Sequence, residues 1–208
     1  LAKKLEVAVR NSRSAFFRVV FQGGALPMDV PRIAFRDLAR STDTRTTLAC
    51  LMPAGSSFAE MAPTLVRLKG DAGTEAYLLG VMSSIPFDWA SRRWVELHLK
   101  YYILNALPVP RYQPDSSLCE RVAEVSGRLA AVDDRYTDWA SEVGVPVGSV
   151  KTQAEKDDLI AELDALVSIL YGLTEDQVRH IFKTFHRGWD FRPRLDAVLA
   201  HYAVWKDR

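Results

Sequence analysis

The sequence predicts an α+β fold: an N-terminal β-rich part followed by a mostly helical C-terminal part that contains an antiparallel helical hairpin. Three observations point there. Residues 14–53 hold short runs of Phe, Val, Ile and Leu broken by turn residues, the pattern of short strands. From Thr74 onward apolar residues recur three and four apart, the spacing of one helix face. The last third repeats that spacing long enough to form two apolar seams. We draw the boundary after the proline-rich exit, giving a β-rich part with two helices at 1–112 and a helical part at 113–208.

The elements follow in order. LAKKLEVAVR at the start is helix-like, and SAFFRVVFQ at 14–22 suits a strand. GGALPMDVP is turn-like. RIAFRDLA sets Ile33, Phe35, Asp37 and Ala39 against Arg32, Ala34, Arg36 and Leu38, which is strand alternation. TTLACLMPAG is a second short strand closed by Pro53 and Gly55. Residues 54–71 read as loop and weak strand. TEAYLLGVMSSIPF predicts a helix that stops before Pro86. DWASRRWVELHLKYYIL predicts another, with Asp88 as N-cap and Trp94, Leu97 and Tyr101 on one face. NALPVPRYQP is extended, because a residue before proline avoids helical geometry. Leu118, Val122, Val125, Leu129, Val132 and Tyr136 form one seam, and Leu159, Leu163, Leu166 and Leu170 another. The loop at 144–150 separates them, so the simplest solution buries seam against seam. The alternative is pairing with a second subunit. Thr174 and Gln177 predict a capping box, and Leu195, Val198, Leu199 and Tyr202 mark a last helix.

Composition bounds the function. A net charge of +1 conceals an asymmetry: residues 1–112 carry 15 Lys and Arg against 9 Asp and Glu, and residues 113–208 carry 12 against 17. A basic front and an acidic back suggest a polyanion partner for the front alone. Cys50 and Cys119 lie in apolar surroundings without partners at metal-ligand spacing, which predicts buried free thiols in a reducing cytoplasm. No signal peptide or apolar run of membrane length appears. The chain opens at Leu1 rather than Met, which suggests a larger protein upstream.

Catalytic and metal constellations are not legible. His98, His180, His186 and His201 are scattered, and none pairs with Cys or Glu at ligand spacing. Gly23-Gly24 lacks the rest of any phosphate-loop fingerprint, and no serine occupies a nucleophile elbow. Asp133-Asp134 and Asp157-Asp158 are neighbours, and neighbours on a helix point about 100° apart. The polar stretch between the two strands is different. Arg36, Arg40 and Arg45 stand there with Ser41, Thr42, Asp43, Thr44 and Thr46. Arginine can fork onto guanine or phosphate, and hydroxyls commonly hold phosphates. Equally, Asp43 and Asp37 can pair with Arg45 and Arg36 to brace a turn. The residues alone leave both readings open.

RIAFRDLARSTDTRTTLACLMP resembles the signature segment of the target-recognition region in large bacterial N6-adenine DNA methyltransferases, including fused restriction-modification enzymes of types IIG and ISP. Three further segments resemble that family in order: AYLLGVMSSIPFDWASRR, YYILNALPVPRY and LVSILYGLTEDQVRHIFKTF. The family's Leu-Asn-Ser is Met82-Ser83-Ser84 here, and Asp43 stands where Asn is common. The family's Asn-Pro-Pro-Tyr motif and glycine-rich S-adenosylmethionine site do not occur in this sequence, which implies a catalytic domain upstream of Leu1.

The resemblance implies a DNA-contacting set of Arg36, Arg40, Ser41, Thr42, Asp43, Thr44, Arg45 and Thr46. It implies double-stranded DNA and an upstream methyltransferase domain as partners, S-adenosylmethionine for the parent enzyme only, and a scaffold role for the acidic helices. A turn shared by family members that read different sequences implies that Arg45 and Thr46 grip backbone or brace the loop. Base reading then falls to neighbours such as Arg36 and Arg40, or to other loops.

Overall fold

The computed structural model describes residues 27–56, 61–67 and 69–208, and the fold is α+β as expected. The stretches 1–10 and 14–22, read as helix and strand, lie outside the described residues. A 3-10 turn at Pro27–Asp29 leads into a three-stranded antiparallel sheet of order β2-β1-β3. β1 is Arg32–Phe35, β2 Ala49–Met52 and β3 Thr64–Leu65. Ile33 stands opposite Leu51 on one side and Leu65 on the other. Every residue of β1 is buried, as a central strand covered on both faces should be. Arg32 is among them, and its guanidinium reaches the carbonyls of Val30 and Ser56.

Eight α-helices follow among the described residues: α1 Ala72–Ser83, α2 Ile85–Ser91, α3 Tyr101–Leu104, α4 Ser117–Ala130, α5 Thr137–Val143, α6 Gln153–Leu170, α7 Glu175–Phe185 and α8 Arg192–Trp205. Their starts are fixed by side chains that satisfy otherwise unpaired amides. Asp71 caps α1, Ser84 caps α2 and Ser116 caps α4. Capping boxes open α6 (Thr152 with Glu155) and α7 (Thr174 with Gln177, as expected). Gly144 ends α5 at φ 82°, a left-handed position that glycine occupies without steric cost.

Several expectations are corrected. The helix expected over 88–104 ends at Ser91, and Asp88 lies inside it behind the true cap, Ser84. A turn at 92–94 follows, and the chain then pairs with the segment after β1: Ala39 N–H donates to the Leu97 carbonyl at 3.0 Å, and Leu99 N–H to the Asp37 carbonyl at 2.7 Å. Pairing with the chain after β1 outcompetes the helix, leaving Trp94, Leu97 and Tyr101 exposed rather than on a buried face. The first seam also breaks. α4 ends at Ala130, Val132 is exposed, and Asp133 caps a 3-10 turn at Asp134–Tyr136. That turn sends the Tyr136 hydroxyl to the Leu51 carbonyl at 3.0 Å. Cys119 is buried as expected, but Cys50 is exposed, because the second strand turns it away from the core.

The seams of α4 and α6 do meet inside the chain, where Val122, Val125, Leu159, Leu163 and Leu166 are all buried. They do not form a self-contained hairpin. α1 packs against α4, and α8 against α6. The larger core runs from Ile33 to Val167, across the boundary drawn at residue 112. A smaller one joins Ile85, Ala165, Phe182 and Val198. Gly80 marks a close approach of α1 to α4 and α6. A Cβ there would lie 2.9 Å from Val122 Cγ1, 3.1 Å from Ser126 Cβ and 3.2 Å from Leu163 Cδ1. Overpacking costs roughly 1–3 kcal/mol, against a gain of about 1 kcal/mol for alanine over glycine in a helix. Gly80→Ala therefore lowers stability in urea unfolding, and Val122→Ala on the same background recovers part of the loss.

Candidate nucleic-acid interface

The thirteen-residue connection from Arg36 to Leu48 carries all eight residues singled out from the sequence. Arg36 N–H donates to the Leu48 carbonyl at 2.9 Å and closes its base. Beyond Ala39, where pairing with 97–99 stops, the loop has no strand partner among the described residues, so its backbone groups must be satisfied in another way. Side chains do this from outside and from within.

From outside comes Asp88 of α2, whose side chain has no exposure. A buried carboxylate is costly unless surrounded by donors. Asp88 has them. Arg45 Nε donates at 2.5 Å, Thr46 N–H at 3.1 Å and Thr47 N–H at 3.2 Å. The Arg92 guanidinium, one helical turn on, stands 3.4 Å away. Arg45 also donates to the Ser83 carbonyl at 2.7 Å, satisfying the end of α1, where a cation suits the helix dipole. Thr47 donates its hydroxyl to Ser91 at 2.8 Å.

Arg92 is the second brace. Its side chain is nearly buried, and it donates to the carbonyls of Ser41 (3.2 Å), Asp43 (2.8 Å) and Thr44 (2.8 Å). It reaches the Phe185 carbonyl at the end of α7 at 2.8 Å and lies 3.9 Å above the Phe185 ring. Burial pulls its basicity below the ordinary arginine value, with Asp88 opposing. From within the loop, Asp43 accepts from Arg36 at 2.9 Å and from Arg40 N–H at 3.2 Å. Arg36 also donates to the Arg45 carbonyl at 2.6 Å. The Thr46 hydroxyl donates to the Arg40 carbonyl at 2.8 Å.

The expected set therefore divides. Arg45 and Thr46 point inward and brace. Arg36 and Asp43 pair with each other and are half-exposed. Arg40, Ser41, Thr42 and Thr44 are exposed. The bracing reading of the loop holds for Arg36, Asp43, Arg45 and Thr46, but the carboxylates are assigned differently. Asp43 pairs with Arg36 rather than Arg45, and Asp37 turns away to His98 (2.9 Å) and Lys100 (3.0 Å). Thr42, Asp43, Thr44, Arg36, Arg45 and Leu48 line a shallow concavity of about 520 Å³. Sequence reasoning missed Arg92, whose role depends on a contact across about fifty residues.

No group of His, Cys, Asp and Glu among the described residues is placed to hold a metal, and no helix among them is long and apolar enough to cross a membrane. The chain matches no protein-family model, no curated protein and no solved structure.

Two measurements test the bracing. Asp88→Ala leaves two guanidinium groups without their buried counter-charge, so unfolding free energy falls by about 3–5 kcal/mol. Urea titration reads that loss. Asp37 predicts the acid response. Burial alone would raise its carboxyl, but hydrogen bonds and charge from Lys100 and His98 outweigh it and hold the group below its ordinary 3.8. A depressed folded value stabilises fully above the ordinary value, and that stability is lost as pH falls through the folded one. Stability measured below about pH 4 therefore declines less steeply in Asp37→Asn than in the parent.

Proposed function

We propose that this chain is the DNA target-recognition part of a bacterial adenine-specific DNA methyltransferase or fused restriction-modification enzyme, acting in the cytoplasm. The loop tip at 40–44 meets double-stranded DNA, and the helical part acts as scaffold. The observation that carries this reading is the braced loop, with an outward row of Arg40, Ser41, Thr42 and Thr44 on a base fixed by Asp88 and Arg92. Recognition needs side chains held in register, and a loop on a rigid support supplies them.

Two further facts support it. The front part of the chain is the basic part, as a polyanion partner requires. The four segments that resemble the methyltransferase family are also tied together by polar contacts. Arg45 of the first meets Asp88 of the second, and Arg92 of the second meets Phe185 of the fourth. Tyr171 of the fourth donates to the Pro108 carbonyl of the third. S-adenosylmethionine and the catalytic step belong, in this proposal, to a domain outside these residues. Most of both helical seams is buried inside the chain, which favours this reading over an assembly role through helix pairing.

Fluorescence anisotropy of the 208-residue chain with labelled duplex DNA, over a range of salt, tests the proposal. Affinity falls steeply with salt. Arg40→Ala costs about 1–3 kcal/mol if Arg40 reads a base, and flattens the salt slope by about 1 if it holds a phosphate. A folded chain with no duplex affinity even at low salt would overturn the reading.

A further inference from the structure

We propose that the cavity between β2, α4 and α6 binds a small amphiphilic anion, an acidic head on an apolar body. This site stands apart from the DNA-recognition reading and does not depend on it. The cavity measures about 550 Å³, a size common among small-molecule sites. Leu51, Leu79, Leu129, Ile160 and Leu163 are among its walls, and Leu51, Leu79 and Leu163 belong to the core. An apolar body gains by leaving water against such walls.

The polar groups select the head. Arg45, Lys156 and Arg194 line the cavity, and no Asp or Glu among the described residues does. Buried acids hold the two arginines in place. Arg45 gives Nε to Asp88 and Nη2 to the Ser83 carbonyl, and Arg194 gives Nε and Nη2 to Asp164. The Nη1 group of each makes no hydrogen bond to a described residue. Asp88 also faces Arg92, and the exposed Lys156 pairs with no described carboxylate. Four cations therefore stand against two acids, and an anion supplies the missing charge. Ser126 points the same way independently. It is 3% exposed and lines the cavity, yet its hydroxyl hydrogen-bonds to no described residue, whereas buried polar groups are ordinarily paired. The Ser83 hydroxyl, also on the wall, is likewise without a partner among the described residues. Cations and hydroxyls together donate to an acceptor such as a carboxylate or phosphate. A neutral apolar guest would leave them unpaired.

Isothermal titration calorimetry of the 208-residue chain with decanoate, decyl phosphate, decanol and acetate tests the site. At least one of the two long-chain anions binds with one molecule per chain, and the tighter of them identifies the head. Decanol and acetate, each lacking one half of the ligand, bind about tenfold or more weaker than that anion. Lys156→Glu weakens the anion about tenfold as well. It leaves the melting temperature of the free chain unchanged, because Lys156 is exposed and an acid suits the first turn of α6. Ala130→Phe, which puts a ring into the cavity, abolishes binding, and Ser126→Ala weakens it. Decanol binding as tightly as the anions makes the cavity merely apolar and overturns the proposal. So does the absence of one-to-one binding by either anion, or anion binding that survives Lys156→Glu undiminished. A chain that self-associates on sedimentation and returns to monomer with Ala130→Phe makes this face a protein interface and overturns it too. None of these outcomes bears on DNA recognition by the loop.

Discussion

A carboxylate sealed from water must be surrounded by donors, and Asp88 is such a group. Two arginines and two backbone amides converge on it. Much of the front of the molecule is arranged by that requirement. The chain leaving β1 must return so that Thr46 and Thr47 present their amides to α2, which sets the size and path of the loop. Arg45 must lie across the end of α1. α2 must start where Ser84 caps it, and there a second buried carboxylate, Asp164 of α6, takes the Ile85 amide at 2.7 Å while pairing with Arg194 of α8 at 2.6 Å. One polar relay thus runs from the last helix to the loop through two buried acids. Each is balanced by arginine rather than lysine, as suits a fork that donates to several acceptors at once.

What was legible in the sequence was local. The start of the strand at Arg32, the Thr174–Gln177 capping box and the leucine seam of α6 depend on residues a few positions apart, and each lies where it was read; the strand stops at Phe35 rather than Ala39, and both of its faces are buried instead of one. What was not legible depended on distant partners. Arg45 and Asp88 are 43 positions apart, and no spacing rule joins them. Residues 94–101 carry two patterns at once. Trp94, Leu97 and Tyr101 fit a helix, while Val95, Leu97 and Leu99 alternate like a strand. Pairing with the backbone of 37–39 decided against the helix, leaving one antiparallel bridge at Leu38 and His98. The 118–136 seam failed for a similar reason: the Tyr136 hydroxyl gains a carbonyl on β2 by leaving the helix axis.

The candidate site was half legible. The loop and its eight residues stood out by composition, but which of them face outward could not be read from their types. Thr46 is sealed while Thr44 is open, and nothing in the local sequence separates two threonines two positions apart. The separation comes from Asp88, which draws the chain inward from Arg45 onward.

The manner of bracing has a consequence for change. At positions 40, 41 and 44 the restraints grasp main-chain atoms: the Arg40 amide and carbonyl, and the carbonyls of Ser41 and Thr44. Any amino acid except proline offers the same amide, and every amino acid the same carbonyl. The outward side chains carry no share of the frame, so the tip is a surface whose letters can be exchanged while its shape is inherited. A protein under pressure to alter what it touches could drift at these positions without passing through an unfolded ancestor.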